Sequence, residues 1–455
     1  MEQKYIIALE VGSSKIRGAL GVTDGSGILT VKAVEEERLV DSVRHGCVRN
    51  VAEVADSVNS ILRRLESREG GRSVTGVYVA LGGRSMVSSA VPIERRLPSE
   101  TEITGEHLRQ IYDDARSKVL IDRDVVDVVP VEFFVDKNRV NNITGTFGSE
   151  IEATFNLISC RSQLRRNLSH ALSKTLNLDV RGYVVRQLAE GDLVLTPEER
   201  RLGCVLVDFG AETTTVSVYK YGAMQYMATL PLGSRNITRD ITSLAYLEEE
   251  AEKLKCNCGD AMGAHDASAF PGETREHLEI NNLVGSRSGE IIANICEQIK
   301  ASGFQPSDLP SGIVVIGGGA RLNGFTRRLE DESRMRVRMG MPGGQSIRIT
   351  DSRIQPAMAV DVISILAAVA PHAIDCMTRP EPVPTVDDTV TTVDDEPEPE
   401  PEPEPIFEED HPRRDRGSIF GKLRDRFARL ISENEEDLAK NEEDDDDDIM
   451  RDDDR

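Results

Sequence analysis

The sequence predicts an α/β protein built as two lobes that face each other across a cleft. Three stretches carry that prediction. Near the start, the apolar run Tyr5–Leu9 enters the turn Glu10-Val11-Gly12-Ser13-Ser14-Lys15 and returns through Ile16–Val22. The pattern recurs later: Val205-Leu206-Val207, then Asp208-Phe209-Gly210-Ala211-Glu212-Thr213-Thr214, then Val216–Tyr219. Finally Ser311–Ile316, a buried-strand pattern, feeds Gly317-Gly318-Gly319-Ala320. A strand, an acidic-glycine-hydroxyl turn and a second strand thus open each half. Such turns aim backbone N–H groups and hydroxyls at an anion, with a carboxylate alongside to hold a metal through water. Two of them facing each other clamp a phosphate chain.

The remaining elements follow in order. Asp24–Gly27 is a hairpin turn and Ile28–Val34 a third strand, which makes an antiparallel meander. Val51, Val54, Val58, Ile61, Leu62 and Leu65 have helical spacing, closed by Gly70-Gly71. Val74–Leu81 is a strand. From Arg84 to Cys160 the texture changes to short strands (Val125–Phe134, Ile151–Ile158), one helix (Gly105–Val119) and turns, which is the pattern of a small α+β insert. Ser162–Leu176 is expected to be a helix and Val180–Val185 a strand. After the second hairpin come the strand Met224–Leu230 and helices over Ile237–Leu244 and Glu248–Leu254. Gly263–Asn282 is expected to be irregular, Ser288–Ala301 helical. Gly324–Ser333 and Gln355–Ala370 are the last helices of the body.

Net charge is −24. After Thr378 lie 29 of the 79 acidic residues but only 11 of the 55 basic ones, so the tail, not the body, sets the acidity. No basic face points to nucleic acid. The seven cysteines lack regular spacing, which suits a reducing cytoplasm. Cys256 and Cys258 have no second pair or histidine cluster, so no zinc site is expected. No signal peptide or membrane-spanning run is evident.

These motifs resemble those of the actin/Hsp70/sugar-kinase superfamily: the turn at Glu10–Lys15 its first phosphate loop, Asp208–Thr214 its second, and Ile316–Ala320 its adenosine loop. Leu188-Ala189-Glu190 followed by Val194-Leu195-Thr196-Pro197-Glu198-Glu199-Arg200, then Gly233–Ile241 and Ala251–Lys255, narrow the resemblance to FtsA. It covers about residues 1–378 and, loosely, 418–431. It implies two ribonuclease H-like lobes around ATP and Mg²⁺, with the distinctive subdomain 1C as the insert. The division it implies is 1–83, 161–199 and 355–378 for subdomain 1A, 84–160 for 1C, 200–232 and 311–354 for 2A, and 233–310 for 2B. It implies further that Gly12, Ser13, Ser14 and Lys15 meet phosphates from one side, and Gly210, Thr213 and Thr214 from the other. Glu10 and Asp208 would hold Mg²⁺ through water. Glu252 and Lys255 would flank ribose and adenine, and Gly317, Gly318 and Gly319 would let the backbone approach the nucleotide. The plainer alternative for Glu252 and Lys255 is a solvated pair one helical turn apart.

The sequence departs from that pattern. Glu10 stands where most of the superfamily has Asp, and Thr215 replaces a common Asp. Glu212 replaces Gly inside a phosphate loop. A carboxylate there either faces the phosphates, repelled by about 4 kcal/mol at 4 Å and an effective dielectric near 20, or swings to solvent. The expectation is ATP binding with little turnover, and no catalytic residue is assigned.

Residues 379–417 read as a charged, extended Pro/Glu linker, and 432–455 as an acidic tail. Between them, Ile419, Phe420, Leu423, Phe427, Leu430 and Ile431 fall within an arc of roughly 120° on a helix over 418–431. Lys422, Arg424, Arg426 and Arg429 flank it, placed to snorkel to anionic head groups. A helix that docks on a partner protein or folds back on the body is the alternative. Taken with the resemblance, the expected protein polymerises head to tail, tethers the tubulin-like FtsZ to the cytoplasmic face of the inner membrane at the division site through an FtsZ tail held on 2B, and helps to recruit other division proteins. A soluble kinase or phosphatase of the same superfamily is the rival, and it needs no tethered amphipathic helix.

Overall fold

The computed structural model describes residues 3–379 apart from 25–26, 119, 141–142, 264–274 and 344–345, and for residue 116 the backbone only. The expected linker, the amphipathic helix at 418–431 and the acidic tail lie outside the described residues.

Three hydrophobic cores organise the described chain. The first lies around a six-stranded sheet in the order Asp179–Val185, Gly76–Leu81, Lys4–Val11, Lys15–Thr23, Leu29–Arg38, Ile347–Ile349. The central strand Lys4–Val11 is buried from Tyr5 onward, which explains its unbroken apolar run. The helix Val51–Glu66 covers one face, its apolar stripe Val54, Val58, Ile61 and Leu65 inward and Asn50 capping it through the Glu53 N–H. It approaches so closely that a Cβ on Gly18 would lie 2.4 Å from Ile61. The helix Val360–Val369 buries Val362, Ile363, Ile365 and Leu366, being apolar nearly all round, and brings Asp361 to the cleft.

The second core surrounds Val205, Val207, Phe209, Ile292 and Phe325. Its sheet runs Ala223–Leu230, Thr214–Lys220, Cys204–Phe209, Ile313–Ile316, Val337–Met339. The insert has a core of its own around Ile111, Ile151 and Phe155, with Tyr112 edge-on to Phe155 at 4.9 Å. Its strands Val87–Glu102, Arg123–Val135, Asn138–Val140 and Phe147–Arg161 extend the second lobe's sheet to nine strands, joined where Val87 pairs with Ala228.

Both expected hairpins form, with Val11 opposite Ile16 and Phe209 opposite Thr214. Two expectations change, and one further helix was not foreseen. The long helix runs Arg275–Ala301, so it begins inside the stretch expected to be irregular. Its buried face includes Asn281, Gly285 and Ser288, and Arg328 lies against the backbone at Gly285, so polar and small residues hide the helical period. The helix from Ser162 is regular only to Ser169 and widens into a π turn over His170–Thr175. Arg186–Val194, which no apolar period marks, is a helix that starts directly after the strand Asp179–Val185.

Candidate functional site

The two hairpin turns meet across the cleft. In the first, the Gly12 N–H donates to the Lys15 carbonyl at 3.0 Å and closes the turn. A Cβ on Gly12 would come 3.0 Å from both that carbonyl and the Glu10 carboxylate. Ser13 is buried and accepts from the Gly46 N–H at 3.0 Å. Lys15 turns to the neighbouring strand, its Nζ 2.8 Å from Glu36.

In the second turn the Gly210 N–H donates to the Thr213 carbonyl at 2.9 Å. Thr214 is buried, its hydroxyl donating to the Leu232 carbonyl at 2.7 Å. Asp208 pairs with Thr215 on one side and, in parallel register, with Ile316 on the other, so the glycine run begins beside it. Gly317 has φ +90°, and a Cβ there would lie 2.4 Å from the Phe209 carbonyl and 2.8 Å from the Asp208 carboxylate. A Cβ on Gly319 would strike the Phe209 ring at 2.8 Å, whereas one on Gly318 would meet nothing within 4 Å. The protein's own packing therefore requires two of the three glycines, and Gly318 alone faces open space.

Glu10 and Asp208 converge, as the two turns suggest, but Arg186 stands between them. The strand Asp179–Val185 carries Arg186 to the cleft as the first residue of its helix. One terminal nitrogen lies 2.8 Å from Glu10 and the other 2.5 Å from Asp208, while Nε is 3.5 Å from Glu190. Beside this cluster Arg17 holds Asp361 at 2.6 Å. Burial pushes the Glu10 carboxyl up to about 7 despite the guanidinium, with Asp361 adding to the rise. Burial also raises Asp208, and raises Glu190 well above the carboxylate range. The Glu190 Oε2 makes no hydrogen bond among the described residues. Arg186 was missed in the sequence. Its signal is a cation at the carboxyl end of a parallel strand with Glu190 one helical turn on.

Glu212 neither faces the phosphates unpaired nor swings to solvent. It is 1% exposed. Its carboxylate accepts from the His45 N–H at 2.7 Å, from Arg235 at 3.2 Å and from Arg239 at 3.1 Å. Burial raises its pKa, but His45 and Arg235 outweigh burial and hold it below the usual range. His45 belongs to the first lobe and Glu212 to the second, so the contact spans the cleft. An open cleft beside it is lined by Asp41, Arg44, Arg49, Arg239 and Glu248.

Glu252 and Lys255 lie on the helix Glu248–Cys258 and pair with each other at 2.6 Å. Lys255 is buried and also donates to Thr238 at 2.9 Å and to the Ser234 carbonyl at 3.2 Å. The Glu252 side chain is 51% exposed. The pair is therefore tied to the helix Ser234–Thr242, with Glu252 alone presented outward.

Comparisons with known proteins agree in kind. The family model described as "Cell division protein FtsA" matches residues 205–362, and "SHS2 domain inserted in FTSA" matches 83–159. The chain is 32% identical to the cell division protein FtsA of Porphyromonas gingivalis, over 70% of this chain and 68% of that protein. It is 27% identical to that of Bacillus subtilis, over 75% and 80%, and 26% identical to that of Escherichia coli, over 75% and 85%. Among solved structures, a chain of a PilM–PilN type IV pilus biogenesis complex superposes with a TM-score of 0.58 at 15% identity, covering 81% of this chain and 99% of that one. The fold is the two-lobed, actin-like α/β fold with the inserted domain.

Proposed function

The chain belongs to the FtsA family of cell division proteins, and on that premise we propose that it is an adenine-nucleotide-binding membrane scaffold of the division site. It assembles head to tail through the insert. It lies on the cytoplasmic face of the inner membrane, held by the apolar face Ile419, Phe420, Leu423, Phe427, Leu430 and Ile431. It tethers the FtsZ ring through a tail bound on residues 233–310 and helps to recruit other division proteins. One such helix binds reversibly, so a polymer supplies the avidity.

The observation that carries this reading is the convergence of three loops far apart in sequence. The turns at Gly12–Lys15 and Gly210–Thr214 face each other, and Gly317 abuts Asp208. ATP phosphates then lie between the two turns, and Gly318 gives its backbone to the nucleotide. Glu252, held by Lys255, flanks the ribose. Glu212 is engaged by His45, Arg235 and Arg239, and so does not repel the phosphates. Turnover is slow. In the described residues no helix is long and apolar enough to cross a membrane.

Electron microscopy of the full chain on anionic lipid monolayers with ATP tests the proposal. Filaments are expected, with phosphate release of no more than a few per minute. Dispersed particles, or ATP consumption that depends on a sugar or acetate, would overturn it in favour of a soluble enzyme.

A further inference from the structure

A divalent ion held through water by Glu10 and Asp208 needs the space between their carboxylates, and in this chain a guanidinium fills it. Each terminal nitrogen of Arg186 takes one of the two carboxylates, at 2.8 and 2.5 Å. The side chains of Arg186, Glu10 and Asp208 are 13%, 8% and 7% exposed. Arg186 has its backbone fixed in place. It is the first residue of its helix, and the strand before it is pinned in parallel register, Val185 against Leu81. Glu190 faces it from the next helical turn at 3.5 Å. Arginine stays protonated at every accessible pH, so this is a permanent cation. A second, divalent cation would be repelled by it at short range inside a buried site. The cluster therefore does not fit the expected Mg²⁺.

We propose that Arg186 takes the place of the divalent cation in this cleft, so that the chain binds its nucleotide without Mg²⁺. The nucleotide half of this statement rests on the function proposed above; the metal half does not. Arg186 bridges Glu10 of the first lobe and Asp208 of the second, so the two turns are drawn together before any ligand arrives. The guanidinium stands between the two turns whether or not a ligand is present. A metal would bring its positive charge only with the nucleotide. Arginine suits this place because its rigid planar fork holds two carboxylates in fixed directions, which the rotating ammonium of lysine does not.

Two measurements on the full chain test this. Mn²⁺, followed by electron paramagnetic resonance, reports metal sites, and a fluorescent ATP analogue reports nucleotide affinity with Mg²⁺ or with EDTA. The acidic tail is present in every variant, so its own ions cancel in the comparison. The wild type and Asp208→Asn are expected to bind the same number of Mn²⁺ ions. Nucleotide affinity of the wild type is expected to differ by less than about fivefold between Mg²⁺ and EDTA. Arg186→Gln is expected to gain a Mn²⁺ site that the double variant Arg186→Gln/Asp208→Asn lacks, and to become dependent on Mg²⁺ for nucleotide. A Mn²⁺ ion bound by the wild type and lost in Asp208→Asn would overturn the proposal, as would an EDTA effect above that limit. Should Arg186→Gln fail to fold, the comparison of wild type with Asp208→Asn decides alone. Should the wild type bind no nucleotide in either condition, the function proposed above falls, and the Mn²⁺ comparison still decides the metal.

Discussion

Glu10 and Glu212 are carboxylates of the two hairpin turns, and their surroundings push them in opposite directions. Glu10 shares one guanidinium with Asp208 and Glu190, and burial leaves it near 7. Glu212 is met by His45, Arg235 and Arg239 and sits below the ordinary range. The sign of the pH dependence follows. A carboxyl whose folded pKa lies above its unfolded value binds its proton more tightly in the folded state. Its contribution is complete below about pH 4.5 and is lost as pH rises towards 7. Stability should therefore fall across that window, by up to about 3 kcal/mol from this group. Glu10→Gln cannot titrate and should flatten the slope, measured by urea unfolding at a series of pH values. An unchanged slope would show that Glu10 is ionised throughout. Arg17, Arg186, Asp208 and Asp361 face Glu10 and are unchanged in that variant.

At the scale of elements, the strand-to-glycine turn at Ile316–Gly319 illustrates what a motif hides. Its glycines suggest a ligand. In the folded chain Gly317 and Gly319 are instead held by Phe209, whose ring stacks on Phe325 with centroids 4.5 Å apart. Gly317→Ala would meet both a left-handed backbone and a carbonyl 2.4 Å away. It should destabilise the second lobe by on the order of 2 kcal/mol or more, read as a lower urea midpoint, and Gly318→Ala should leave the midpoint unchanged. Equal effects at both positions would contradict this account. The hairpins and the helix Val51–Glu66 were legible because their apolar periods are strong; the insert was legible only as a change of texture, and its long strand Val87–Glu102 was not foreseen. The first turns of Arg275–Ala301 were not, because polar and small residues, Asn281, Gly285 and Ser288, are part of its buried face. The helix Arg186–Val194 escaped notice because Gln187 and Glu190, both polar, are buried along with its apolar residues.

At the scale of the molecule, two contacts join the two hairpin turns' surroundings across the cleft: the ion pairs of Arg186 with Glu10 and Asp208, and the hydrogen bond from the His45 N–H to Glu212. Removing the second leaves the His45 N–H and the largely buried Arg235 without that partner. Glu212→Ala should lower stability by about 2 kcal/mol, since one of its three partners, Arg239, is already more than a third exposed. It should also speed amide exchange over residues 42–49 while leaving the insert unchanged. Unaltered exchange in that segment would mean that the contact does not hold the lobes together. The sequence by itself determined that the chain is duplicated, that acidic-glycine turns end paired strands, and that an insert divides the first lobe. Those properties are written in local periodicity and turn chemistry, which neighbours along the chain decide. Which charges meet was decided only by the tertiary structure. Arg186 reaches Glu10 across 176 positions, and His45 reaches Glu212 across 167. No local period records such a pairing, because burial and a shared cleft create it.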